Sequence, residues 1–151
     1  MDIIQLNQNY IDEIIEYRIA MMKTEEQVDE TPELINAIRK FLEKHLNINY
    51  FQYAILNDNE IVSTAAYRIE EYLPQNHNLA GKKALIENVY TKPEHENKGH
   101  CKSLMNYLMG EIQTQGINVI ELSTKNSKAR TIYKNFGFYK KENVMKWSDK
   151  K

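Results

Sequence analysis

The chain has 151 residues, 42% hydrophobic and 27% charged, with 20 basic against 21 acidic side chains and a formal net charge of −1. This is the size and balance of one globular domain spanning residues 1–151, and it excludes an overall basic field that would recruit nucleic acid or a membrane surface. A single cysteine, Cys101, excludes an intrachain disulfide and suits a reducing compartment.

The opening Met1-Asp2-Ile3-Ile4-Gln5 lacks the basic start of a secretory leader, and no apolar run approaches the roughly 20 residues of a membrane span. A cytoplasmic protein is expected. Asp2–Leu6 reads as a short strand. A helix follows from Asn9, its cap, to Met22, with Ile11, Ile14, Ile15, Ile19 and Met22 at helical spacing. The acidic segment Lys23–Glu30 reads as a solvated loop. Thr31-Pro32-Glu33 starts a second helix with a capping hydroxyl, a proline at the first helical position and a carboxylate on the dipole. It fades near His45–Asn49, with Leu34, Ile35, Ile38, Phe41 and Leu42 on its buried face.

Tyr50–Leu56 and Ile61–Ile69, joined by Asn57-Asp58-Asn59-Glu60, predict an antiparallel hairpin. A long loop runs from Glu71 to Gly81. Ala84–Thr91 predicts the next strand, with Leu85, Glu87, Val89 and Thr91 on one face and Ile86, Asn88 and Tyr90 on the other. Glu87 among aliphatics is either a functional carboxylate or one paired with a Lys or Arg. Lys92–Leu104 then turns from strand into helix, which aims free backbone N–H groups at an anion, and Gly99 would let the backbone approach it closely. Cys101, Leu104, Met105, Leu108 and Ile112 line the helix to about Gln115. Val119–Ser123 forms a strand parallel to its predecessor through a right-handed crossover. A last helix opens at Asn126 or Ser127, buries Ala129, Ile132, Tyr133 and Phe136, and stops at Gly137. Val144–Trp147 predicts a final strand. His45, His77, His95 and His100 lack metal-ligand spacing, so no metal is expected.

Within Asn126–Phe138, the residues Asn126, Ala129, Tyr133, Gly137 and Phe138 resemble the Asn, Ala, Tyr, Gly-Phe pattern of the GNAT superfamily of N-acetyltransferases. Upstream, Pro93-Glu94 followed by Lys98-Gly99 and a helix resembles that superfamily's pyrophosphate-binding turn. The turn departs from the usual Gln/Arg-x-x-Gly-x-Gly/Ala, with Glu96 and Cys101 at its ends and only Gly99 intact. The resemblance implies an α+β (α/β) fold. Its sheet is mixed and mostly antiparallel, with a splayed parallel central strand pair and helices on both faces.

It also implies acetyl-CoA as co-substrate and transfer of its acetyl group to a primary amine of a small molecule or protein, by direct attack in a ternary complex. Asn97, Lys98, Gly99, His100, Cys101 and Lys102 would hold the pyrophosphate, His100 through its backbone. Asn126 would contact the pantetheine arm, or serve only as a helix cap. Backbone N–H groups around Val89, Tyr90 and Thr91 would stabilise charge on the acetyl oxygen. Glu87 matches the carboxylate that receives the amine proton and Tyr133 the acid that protonates the leaving thiolate. An acetylated Cys101 is disfavoured, since its side chain would face the phosphates. Acceptor pockets in similar proteins imply walls near Arg18–Thr31 and Tyr67–Gly81. Glu25, Glu26, Asp29, Glu30, Glu70 and Glu71 there suggest a cationic acceptor. A homodimer stays open. The competing reading is a non-catalytic acyl-CoA-binding or regulatory module; a toxin-like enzyme acetylating charged tRNA would need a basic face that the composition lacks.

Overall fold

A computed structural model describes residues 2–124, 126–141 and 143–149. Among the described residues five strands, β1 (Ile3–Gln5), β2 (Tyr50–Asn57), β3 (Glu60–Glu71), β4 (Lys82–Thr91) and β5 (Ile120–Leu122), form one sheet in chain order. The first four pair antiparallel and β5 runs parallel to β4. Four α-helices among the described residues cover the sheet: α1 (Ile11–Glu25), α2 (Pro32–His45), α3 (His100–Thr114) and α4 (Ser127–Asn135). This is the mixed α+β architecture expected from the sequence.

Local chemistry accounts for most boundaries. Asp58 and Asn59 both take positive φ, 50° and 65°, the geometry that closes a two-residue hairpin without splaying its strands. Thr31 accepts a hydrogen bond from the Leu34 N–H and Pro32 occupies the first turn of α2. Asn9 does not cap α1. Asn7 is the capping residue instead, accepting from the Asn9 N–H at the head of a 3₁₀ turn that feeds the helix.

The core is split by the sheet. On one face α1 and α2 bury Leu6, Ile14, Ile15, Leu42, Tyr50 and Ala66. On the other, α3 contributes Leu104, Met105, Leu108 and Ile112, all fully buried against Tyr53, Tyr67, Ala84 and Ile86, with Tyr133 of α4 beside them. Each such aliphatic side chain stabilises the fold by roughly 1.5–3 kcal/mol.

The Glu71–Gly81 loop is tied down rather than free. The Tyr72 N–H donates to the Gly81 carbonyl at 2.8 Å, and the buried Asn78 Nδ2 donates to the Tyr72 hydroxyl and the Lys82 carbonyl. Gly81 has φ 63°, and a Cβ there would lie 2.4 Å from the Tyr72 carbonyl oxygen. Gly81→Ala is expected to cost about 2–4 kcal/mol, from left-handed strain plus this clash, as a lower urea midpoint with unchanged slope. An unaltered midpoint would show that the loop carries no share of the stability.

Two further expectations fail. Val144–Trp147 forms no strand: Val144, Met145 and Trp147 are 89%, 99% and 86% exposed and outside any ladder. Alternating apolar residues make a strand only where a neighbouring edge receives them. The alternation assigned to β4 also fails beyond Glu87. A bulge opposite Thr64–Ala66 holds Asn88 at φ 57°, so Glu87 and Asn88 both turn to the α1/α2 side. Val89 then joins Ile86 in the α3 core, and Tyr90 packs on the α1/α2 side.

Candidate active site

β4 and β5 pair over three residues only, ending at Ile86 opposite Leu122. β4 continues to Thr91, so from Glu87 onward its β5-facing edge has no strand beside it among the described residues. Predicted Val89, Tyr90 and Thr91 lie on this stretch. Their side chains are occupied: Val89 is in the α3 core, Tyr90 stacks on Tyr17 at 5.9 Å, and Thr91 Oγ1 shares a 2.7 Å hydrogen bond with Ser63 Oγ. Only their backbone is offered to a ligand.

Beyond Thr91 a 3₁₀ turn, Pro93–His95, leads into the head of α3. Asn97 and Gly99 both take positive φ, 62° and 82°. The first helical bond of α3 is the Ser103 N–H to the Gly99 carbonyl. Among the described residues, the backbone N–H groups from Asn97 to Lys102 have no hydrogen-bond acceptor. A run of unfilled donors at the positive end of a helix is an anion site. A Cβ on Gly99 would meet nothing within 4 Å, so its hydrogen serves the backbone conformation and leaves the approach open.

Glu96 is exposed, as are Lys98 and Lys102. His100 is buried, and desolvation, with the nearby charges of His95 and Lys98, pushes its pKa down; only its backbone reaches the turn. Cys101 keeps the apolar helix face read from its spacing and not the phosphate-facing position. Its side chain packs in the α3 core with Tyr133, away from the turn, and burial pushes the thiol pKa up. Asn126 caps α4, its Oδ1 accepting from the Lys128 and Ala129 N–H groups at 2.9 and 3.2 Å. Lys128, not singled out in the sequence, reaches from α4 to Asn97 Oδ1 and brings a cation to the turn.

Tyr133 lies on the α3/α4 side, 7% exposed. Burial chiefly, and then the charges of Cys101 and Glu25, push its pKa far up. Its hydroxyl has no hydrogen-bond partner among the described residues.

Glu87 opens to the other face, in a cavity of about 430 Å³ between α1, α2 and the sheet. Its Oε1 accepts from Arg68 Nη2 at 2.9 Å and Nε at 3.2 Å. Oε2 has no partner among the described residues. Arg68 also donates to Glu70 at 3.1 Å. Beneath the cavity, Asn88 Nδ2 donates to the Tyr50 hydroxyl and Gln52 Oε1, Tyr50 donates to the same Oε1 at 2.8 Å, and Gln52 Nε2 donates to Thr64 Oγ1 at 2.7 Å. Burial pushes the Tyr50 pKa up. These strand residues escaped the sequence reading because only register joins them; buried glutamine and threonine in aliphatic strands were the available signal.

Of the expected acceptor wall, only Arg18 and Arg68 line the cavity. None of Glu25, Glu26, Asp29, Glu30, Glu70 and Glu71 does. Among the described residues no group of three His, Cys, Asp or Glu side chains converges as a metal site, and no helix is long and apolar enough to cross a membrane.

The model of the acetyltransferase (GNAT) family matches residues 12–138. The chain belongs to the GNAT family. The same fold recurs in a protein described as a predicted acetyltransferase from Clostridium acetobutylicum, crystallised with acetyl-CoA, at TM-score 0.89 and 20% identity over 97% of this chain and 95% of that one. A GCN5-related N-acetyltransferase from Ralstonia eutropha superposes at TM-score 0.82 and 19% identity, covering 97% of both chains. An aminoglycoside antibiotic 6′-N-acetyltransferase from Acinetobacter haemolyticus does so at 0.72 and 16%, covering 99% of each. No curated protein is significantly similar in sequence. At these identities the neighbours show the GNAT fold.

Proposed function

We propose that this chain is a single-domain, acetyl-CoA-dependent N-acetyltransferase working in the cytoplasm, and that it moves the acetyl group to a primary amine by direct attack in a ternary complex. The observation that carries this reading is the division across the β4–β5 split. One face holds unfilled backbone donors and a protonated hydroxyl, the other a cavity with a carboxylate. The GNAT relative crystallised with acetyl-CoA lends support.

The donors at Asn97–Lys102 fit a pyrophosphate, with Lys98, Lys102 and Lys128 adding positive charge outside them. The exposed position of Glu96 keeps its cost there small. Asn126 stands at the head of α4 for the pantetheine arm. Acetyl-CoA supplies an activated thioester carbonyl when bound. Unpaired backbone N–H groups between Glu87 and Thr91 hold negative charge on its oxygen without reorganisation. Glu87, with Oε2 free, accepts the proton of the attacking amine, directly or through a water. Tyr133, kept protonated by burial, returns a proton to the departing thiolate.

The competing reading, a non-catalytic acyl-CoA-binding module, draws on the ion pair that already engages Glu87 through Arg68. Thiol release from acetyl-CoA with a panel of primary amines, alongside calorimetry of acetyl-CoA binding, separates them. Turnover on at least one amine is expected; tight binding with no turnover on any would select the module. Gly99→Ala is expected to weaken acetyl-CoA binding about tenfold, or roughly 1.4 kcal/mol, by straining the turn that presents its donors. An unchanged Kd would move the phosphate site elsewhere.

A further inference from the structure

We infer that the cavity between α1, α2 and the sheet takes an amine that also carries a carboxylate and an apolar side chain, a compound of the α-amino acid class, with Arg18 receiving the carboxylate. The amine's fate rests on the N-acetyltransferase reading; the recognition does not. Two guanidiniums, Arg18 and Arg68, and one carboxylate, Glu87, are the charged groups lining the cavity. Arg68 is answered by Glu87 and Glu70. Arg18 is half-buried and has no hydrogen bond or ion pair with any described residue. Its charge is felt by the Tyr50 hydroxyl and by Glu25, two turns further along α1, but neither contacts it.

A guanidinium stays charged at any working pH, and its planar fork matches a carboxylate through two parallel hydrogen bonds. Held in a partly desolvated wall without a partner, it favours a ligand that brings the anion. Glu87 Oε2, equally unpartnered, favours the ammonium of the same ligand. Ile14, Ala37, Ile38 and Phe41 supply an apolar wall between α1 and α2. A volume of about 430 Å³ admits one such molecule. A polyamine or an aminoglycoside would bring only positive charge to a cavity that already holds a surplus of it, opposite to the preference that acidic Glu25–Glu30 suggested in the sequence.

The test compares phenylalanine with phenylalaninamide, phenethylamine and spermidine, by calorimetric binding to the full-length protein and by thiol release with acetyl-CoA. Phenylalanine is expected to bind at least tenfold more tightly than phenethylamine or the amide, and Arg18→Gln to erase that ratio, with Arg18→Lys keeping some of it. Equal or better binding of phenethylamine or spermidine by the wild type overturns the inference, as does a ratio that survives Arg18→Gln. Turnover of spermidine without a carboxylate preference leaves the enzyme reading standing and overturns this one. A carboxylate preference in binding, with no thiol release from any amine, upholds the cavity's selectivity and overturns the enzyme reading.

Discussion

Glu87→Gln is expected to lower kcat/KM for the acceptor about a hundredfold near neutral pH, the lower end of what a positioned base contributes, or roughly 2.7 kcal/mol of barrier. The substitution is conservative where it matters for folding. Glutamine's carbonyl oxygen still accepts from Arg68, so the cross-strand contact at 2.9 Å between β3 and β4 survives and thermal stability should move little. What is lost is the capacity to take a proton. Only the neutral amine attacks, so kcat/KM of the variant should climb about tenfold per pH unit toward the amine's own pKa, with a flatter wild-type profile. Acetyl-CoA binding, which we place on the opposite face of the sheet, should be unaltered. A variant within about threefold of wild type across the pH series would remove Glu87 from the reaction and leave it as the partner of Arg68.

Tyr133→Phe should lower kcat by about a hundredfold with little change in KM for either substrate, because the role proposed for the hydroxyl is confined to the departure of the thiolate. It makes no hydrogen bond to a described residue, so its removal leaves no buried group stranded and the fold should tolerate phenylalanine. Burial raises the folded-state pKa above the unfolded tyrosine value of about 10. Two consequences follow from that sign. Wild-type kcat should show no alkaline decline from this group below about pH 10. The stability gained by keeping the hydroxyl neutral is fully present below that pH and lost as pH rises toward the folded value, so urea unfolding from about pH 8 to about pH 11 should fall more steeply for wild type than for Tyr133→Phe. Undiminished kcat in the variant would make Tyr133 a core aromatic, in T-shaped contact with Phe138 at 6.2 Å and nothing more.

Much of this arrangement is legible in the sequence where the cause is local. Thr31-Pro32-Glu33 starts α2, Asp58 and Asn59 close the hairpin, and the spacing of Leu104, Met105, Leu108 and Ile112 turns α3 onto the sheet. The head of α3 is also readable, since Gly99 and the strand-to-helix change announce free N–H groups. What fails depends on partners distant in the chain. Arg68 meets Glu87 across 19 positions, and only the register of β3 against β4 brings them together. The resemblance assigns Cys101 to the turn, although its helical spacing with Leu104, Met105 and Leu108 already points it to the core where it packs. Val144–Trp147 has the alternation of a strand and no ladder to enter. The substrate wall that the resemblance draws from Glu25–Glu30 and Glu70–Glu71 does not line the cavity: Glu30 pairs with Lys23, and Glu70 on β3 pairs with Arg68.

The bulge at Asn88 gives β4 two phases. Up to Glu87 the strand keeps step with the sheet, and beyond Asn88 it is half a pleat out of step. The inner half can therefore answer to packing alone while the outer half is set by what it presents. Asparagine suits the junction because it tolerates φ 57° and its amide also anchors to Tyr50 and Gln52. Deleting that one residue would leave a plain pleat with Glu87, Val89 and Tyr90 on the faces they hold now, whereas flattening the bulge with the residue kept would swing Val89 toward the cavity and Tyr90 toward α3 and invert the outer half of the strand without changing its composition.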